Sequence, residues 1–173
     1  HNRLEAYFPV AVAILDAGLA CTATLPCPAE MGASIHIAGT GSSVVDSVFV
    51  CRATGSIQRR LTIDTPEGIA LLAREDLRRL DLAGLKPTRG DIRCIVFGHL
   101  VRLAIWRLRP QWDRQQQTSS KVESVSKEIR RLGGPEAPED ILGEDFTEAP
   151  FAHVMLVGEG AADYAGENDA ISF

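Results

Sequence analysis

A chain of 173 residues, 45% hydrophobic and 24% charged, carries enough apolar material for one ordinary domain. Its richest apolar run, Cys94 to Leu108, is broken by Arg102 and Arg107, so no stretch of about 18 apolar residues offers a membrane span. The four cysteines (Cys21, Cys27, Cys51, Cys94) have no CxxC spacing and no secretory signal reads ahead of them, which predicts reduced thiols in a cytoplasmic protein.

The net charge of −5 hides a block structure. Residues 1–55 carry two basic and four acidic groups, residues 56–134 sixteen basic and nine acidic, and residues 135–173 ten acidic groups with no Lys or Arg. Such blocks predict a core fragment over 1–55, a basic helical extension over 56–134 and an acidic, largely irregular tail over 135–173. The basic block predicts a surface suited to nucleic acid.

In chain order, Leu4, Tyr7, Phe8, Ala11 and Leu15 recur at helical spacing, and Asn2 to Leu19 reads as a helix stopped at Gly18. Pro9 is awkward inside it, and predicts a helix that properly begins near that residue. Ala20 to Leu25 reads as a strand ended by Pro26 and Pro28. After a Gly- and Ser-bearing loop, Val44 to Arg52 reads as a second strand, apolar enough to predict burial on both faces. A helix and two closing strands opening on His1 predict the tail of an α/β domain.

Thr65-Pro66-Glu67 signals a helix start, with a buried stripe of Ile69, Leu72, Ala73, Leu77 and Leu80 and a stop at Gly84. Thr88 with Asp91 reads as a capping box. The helix it opens places Ile92, Ile95, Val96, His99, Leu103 and Trp106 on one face before Pro110. A third helix near Ser119 to Leu132 buries Val122, Val125, Ile129 and Leu132 and stops at Gly133. Beyond Pro135 the periodicity fades, with Phe151 to Val157 the one strand-like run.

The text of residues 1–52 also resembles a known family. "HNR", "TATLPCPAEM" and "GTGSSVVDSVFVCR" are similar to the last motifs of adenine-specific DNA methyltransferases, and "GLKPTRGDIRC…GHLVRLAIWRLRPQWD" resembles a C-terminal extension of some members. The resemblance implies the C-terminal fragment of a Rossmann-like methyltransferase sheet, a helix plus antiparallel closing strands, followed by a mostly helical extension. It implies S-adenosylmethionine as cofactor, methyl transfer to the exocyclic amine of a flipped adenine, and a restriction–modification setting. It implies double-stranded DNA and the rest of the catalytic domain as partners, and no membrane. The chain departs from the family by absence. It contains no Pro-Pro dipeptide, hence no Asp/Asn-Pro-Pro-aromatic tetrapeptide, and no Phe-x-Gly-x-Gly loop. No catalytic or cofactor-binding residue is therefore assigned, and the isolated chain is expected to be inactive.

Candidate contacts to DNA are Gly39, Thr40 and Gly41, whose glycines permit close backbone approach, and Arg89, Arg93, Arg102 and Arg109 on the basic helices. The loop Gly39-Thr40-Gly41-Ser42-Ser43 reads first as a turn joining two strands, and the arginines read equally as solvated faces paired with their own acids or with the acidic tail. His99, in a tidy Gly-His-Leu, lies on an apolar stripe and reads as a hydrogen-bonded core histidine. His36, His153 and the cysteines make no spaced metal set. The competing class is a helical nucleic-acid-binding or protein-interaction module without catalysis.

Overall fold

The computed structural model describes residues 3–28, 43–53 and 65–142. A 3-10 turn at Leu4–Tyr7 leads into α1 (Phe8–Asp16), then β1 (Leu19–Pro28) and β2 (Val45–Ala53). Helices α2 (Pro66–Leu82), α3 (Arg89–Leu108), α4 (Thr118–Arg131) and α5 (Ala137–Leu142) follow, with 3-10 turns at Arg109–Gln111 and Gly134–Glu136. The architecture is α/β, with a two-stranded antiparallel sheet.

Pro9 decides the first helix. It sits in the opening turn of α1, where its missing N–H is no loss, so the expected single helix from Asn2 is a 3-10 turn followed by an α-helix. The chain leaves α1 through Gly18 at φ +68°, a conformation that favours glycine.

The prolines of β1 behave otherwise than expected. The strand runs through Pro26 to Pro28, paired in register with Ser47 and Val45. Prolines two residues apart turn their nitrogens to the same edge, so both are tolerated when that edge carries no partner strand. A register shift lies between Cys21 and Ala23, and the Thr22 hydroxyl fills it by donating to the carbonyl of Val50 at 3.1 Å. The extra residue aims both Cys21 and Thr24 inward, although three positions along a regular strand point to opposite faces.

The second strand is not buried on both faces, as its apolar text predicts. Val45 is buried while Asp46 and Val48 are exposed, because only the inner face meets helices. On the outer face the register partners Leu25 and Val48 remain 41% and 43% exposed. On the inner face, Tyr7 stands edge-on to Phe49 and Phe97, with ring centroids 6.1 and 6.3 Å away.

The helix starts follow the text closely. Thr65 caps α2, its hydroxyl accepting from the Gly68 N–H at 3.2 Å, and Gly84 leaves the helix at φ +77°. Thr88 and Asp91 form the capping box of α3. Helix α3 is buried nearly all round rather than on one stripe, with 15 of its 20 residues inaccessible. The β-ribbon covers the side that the sequence leaves unassigned. Gly98 makes that approach possible: a Cβ there would lie 2.6 Å from the Thr24 methyl and 3.4 Å from the Ser47 hydroxyl.

Asp91 ties the ribbon to this helix. Its Oδ2 accepts from the Thr88 N–H at 2.8 Å, and its Oδ1 accepts from the N–H groups of Val44 and Val45 at 2.7 and 2.8 Å. The Ser43 hydroxyl lies 2.8 Å from Oδ1 as well. The carboxylate has no solvent exposure.

Helix α4 keeps the expected stripe, and Gly133 ends it at φ +124°. Residues from Leu4 through Ala137 belong to one hydrophobic cluster, so the described parts of 1–55 and 56–134 share a core.

Two substitutions test this assembly. Asp91→Ala removes the acceptor for three backbone N–H groups, two of them at the start of β2, and is expected to lower unfolding free energy by about 2–4 kcal/mol. A urea-melt change below about 1 kcal/mol would show that the ribbon is held otherwise. Gly98→Ala is expected to destabilise by about 1–3 kcal/mol through overpacking against Thr24, and Thr24→Ser, which deletes the offending methyl, should restore part of the loss.

Candidate nucleic-acid interface

Four candidate arginines lie on or beside α3, and helical geometry sorts them. At about 100° and 1.5 Å per residue, Arg89 and Arg93 fall on one side of the helix, about one turn apart. Arg102 is nine residues beyond Arg93, half a turn out of phase, and Arg109 follows it seven residues on, back on the face of Arg102. Two pairs on opposite faces are the result, with about 30 Å between Arg89 and Arg109.

The structure brings Arg89 and Arg93 together. Both reach Glu139 of α5, donating to its Oε1 from 3.3 and 2.7 Å. Burial works against ionisation of Glu139, but the hydrogen bonds from Arg93 and Arg89 hold its carboxyl below the usual carboxylate range. The opening of the acidic block thus docks on the basic helix. Ala137 and Pro138 anchor α5 beside it, both fully buried.

The other pair is spent differently. Arg102 is half-buried, and burial pulls its guanidinium below the ordinary arginine range against the opposing pull of Cys21 and Asp76. Arg109 lies over the Trp106 ring, its guanidinium carbon 5.9 Å from the centroid. Elsewhere Arg78 and Arg79 pair with Glu75, while Arg107 and Arg131 pair with Glu128. Gly39, Thr40 and Gly41 lie outside the described residues, as do Glu30, Met31, His36, Arg59, Arg60 and the Phe151–Val157 run.

His99 is a core residue, as its place on the stripe predicts. Its Nε2 lies 2.8 Å from Asp76 Oδ2, and both side chains are nearly inaccessible. A substrate has no approach to this pair, so it holds α2 to α3. Asp76 escaped sequence reasoning, although it interrupts the apolar stripe of α2 between Ala73 and Leu80. An acid on one buried stripe and a histidine on the next is a signal that pairing explains.

A second polar cluster was less legible. Asp16, at the end of α1, accepts from Lys121 Nζ at 2.9 Å and from the Trp112 indole N–H at 2.9 Å. These bonds hold its carboxyl below the usual range. Lys121 is buried and also donates to the Arg114 carbonyl at 2.7 Å. Their separation of 105 residues gives no local pattern to read.

Two of the thiols, Cys21 and Cys94, are core groups. Burial pushes Cys21 up to about 12, and Cys94 is fully buried with its thiol 3.1 Å from the Ser43 hydroxyl. Among the described residues, no group of three or more His, Cys, Asp or Glu side chains is placed to hold a metal ion.

Acid should weaken this structure. Asp16, Glu67 and Glu139 titrate below their ordinary values, and Arg78 draws Glu75 down to about 2. The unfolded chain therefore takes up protons first on acidification. The stabilisation is complete above the ordinary glutamate value of 4.5 and is lost as pH falls toward about 2. A melting temperature that holds or rises between these limits would contradict the ion-pair assignments.

No family model, curated protein or solved structure matches the chain.

Proposed function

We propose that the chain is the C-terminal part of an S-adenosylmethionine-dependent, adenine-specific DNA methyltransferase, contributing the closing helix and hairpin of its sheet and a basic helical extension. The observation that supports this reading is the order α1, β1, β2, with the two strands antiparallel, which is what the family resemblance of residues 1–52 implies. The outer face of the ribbon adds support. A two-stranded sheet is marginal alone, and the half-exposed Leu25–Val48 pair suits a layer that further chain covers.

In this reading the chain supplies position rather than chemistry. The described residues do not make a methyl-donor cradle. Gly98, in a Val-Phe-Gly-His-Leu run that lacks the second glycine of such a loop, lies mid-helix and is closed over by Thr24 and Ser47. No catalytic step is assigned to these residues. Arginines along the helical part would neutralise phosphates and set the register of the duplex, without reading its sequence.

The second reading, a non-catalytic nucleic-acid-binding or protein-interaction module, is favoured by a different observation. The inner face of the ribbon is sealed against α3 through Asp91, Thr24 and Ser47, and the core runs unbroken into the helices.

The natural reading frame that carries this chain, expressed whole, separates the two. With methyl-labelled S-adenosylmethionine and duplex DNA, the whole product is expected to label the exocyclic amine of adenine, and the 173-residue chain alone to label nothing. A frame without an Asp-Pro-Pro-aromatic tetrapeptide, whose product leaves adenine unlabelled, would sink the methyltransferase reading and favour the second.

A further inference from the structure

Oε1 of Glu139 serves two guanidinium groups at once, 2.7 Å from Arg93 and 3.3 Å from Arg89. Its other oxygen, Oε2, is buried with no hydrogen-bond partner among the described residues, and so is Arg93 Nε. A side-on, two-bond fit between carboxylate and guanidinium is the strong arrangement, and this contact falls short of it. The clasp satisfies charge but leaves one donor and one acceptor idle.

A phosphodiester would fit better. Its two non-bridging oxygens can engage the Nε and terminal nitrogen of one arginine together while also meeting the second arginine. Arg89 opens α3 and Arg93 stands one turn on, so the two guanidinium groups lie on one side of the helix start. The pair is also reachable, with the Arg93 and Glu139 side chains 38% and 32% exposed.

Glu139 sits on α5, a helix of only six residues, and among its described side chains Ala137 and Pro138 are buried. Gly133 and Gly134, both at positive φ, make the turn that brings this short helix back onto α3. The charges match as well: Glu139 belongs to a block of ten acids without a base, and it meets a block rich in arginine.

We propose that Glu139 is an internal mimic of a DNA phosphate, a latch that occupies Arg89 and Arg93 until the backbone of duplex DNA displaces it. The latch rests on the DNA-binding reading above and adds regulation to the same arginines. Because carboxylate and phosphate compete for one pair of cations, weakening the first must strengthen the second by the same coupling.

Fluorescence anisotropy of a labelled duplex of about 20 base pairs, at about 50 mM salt, with the 173-residue chain, tests it. Glu139→Gln is expected to tighten binding roughly three- to tenfold. Glu123→Gln, which removes the same charge from an exposed position on α4, should change affinity less than about twofold. Glu139→Asp, which keeps the charge but shortens the reach, should also tighten binding, and it replaces the glutamine variant if that variant melts early. Replacing both Arg89 and Arg93 by Ala should weaken binding and abolish the gain from Glu139→Gln. If Glu139→Gln and Glu139→Asp bind like the parent while loss of the arginines weakens binding, the latch is wrong and the DNA reading stands. If neither the parent nor Glu139→Gln binds the duplex, the DNA assignment of these arginines fails and the latch with it.

Discussion

A carboxylate sealed from water needs its lone pairs answered by donors, and at Asp91 the donors come from two places far apart in the chain. Thr88 supplies one N–H as part of an ordinary capping box. Val44 and Val45, more than forty residues earlier, supply two more at the point where β2 begins. One side chain therefore starts a helix and fixes the entry of a strand. The remaining contacts between ribbon and helix depend on that register. The Ser47 hydroxyl donates to the Cys94 carbonyl at 3.1 Å, the Thr24 hydroxyl to the Gly98 carbonyl at 3.4 Å, and the Trp106 indole to the Cys21 carbonyl at 2.7 Å.

Helix α3 is consequently an axle rather than a surface helix. With the ribbon on one side and α2 and α4 on others, little of its circumference reaches solvent, and its arginines emerge where the cover is thin. Geometry then divides them. Arg89 and Arg93 emerge together near the helix start, while Arg102 is drawn into the interior and Arg109 rests on Trp106. A single basic stripe along the helix, which the count of arginines suggests, is not what this arrangement offers. Any phosphate contact made along α3 would be strongest at its start.

The segregation of charge along the chain has a structural counterpart within the described residues. The first acidic helix, α5, lies on the basic helix, and its one carboxylate between two guanidiniums is a compromise in hydrogen bonding rather than an optimum. Surface ion pairs of this kind contribute little to stability. Ala137 and Pro138, both fully buried, seat α5 alongside these charges. The proposed methyltransferase role would use such a region to hold DNA in place, and the alternative module would use it in the same way without the chemistry.

Local stereochemistry was legible in the residues themselves. Pro9, Thr65-Pro66, Thr88 with Asp91, Gly18, Gly84 and Gly133 mark helix starts and stops because each acts within one turn of backbone. The position of His99 on an apolar stripe likewise revealed a core residue, since helical periodicity is written every three or four positions. Tertiary structure alone decided what depends on neighbours distant in sequence. It let β1 continue through two prolines, exposed one face of β2, and closed the ribbon over Gly98. It also gave Asp91 its second task, Asp76 its histidine and Asp16 its lysine. Those outcomes rest on which surface covers which, and burial is a property of the assembled layers that no local pattern encodes.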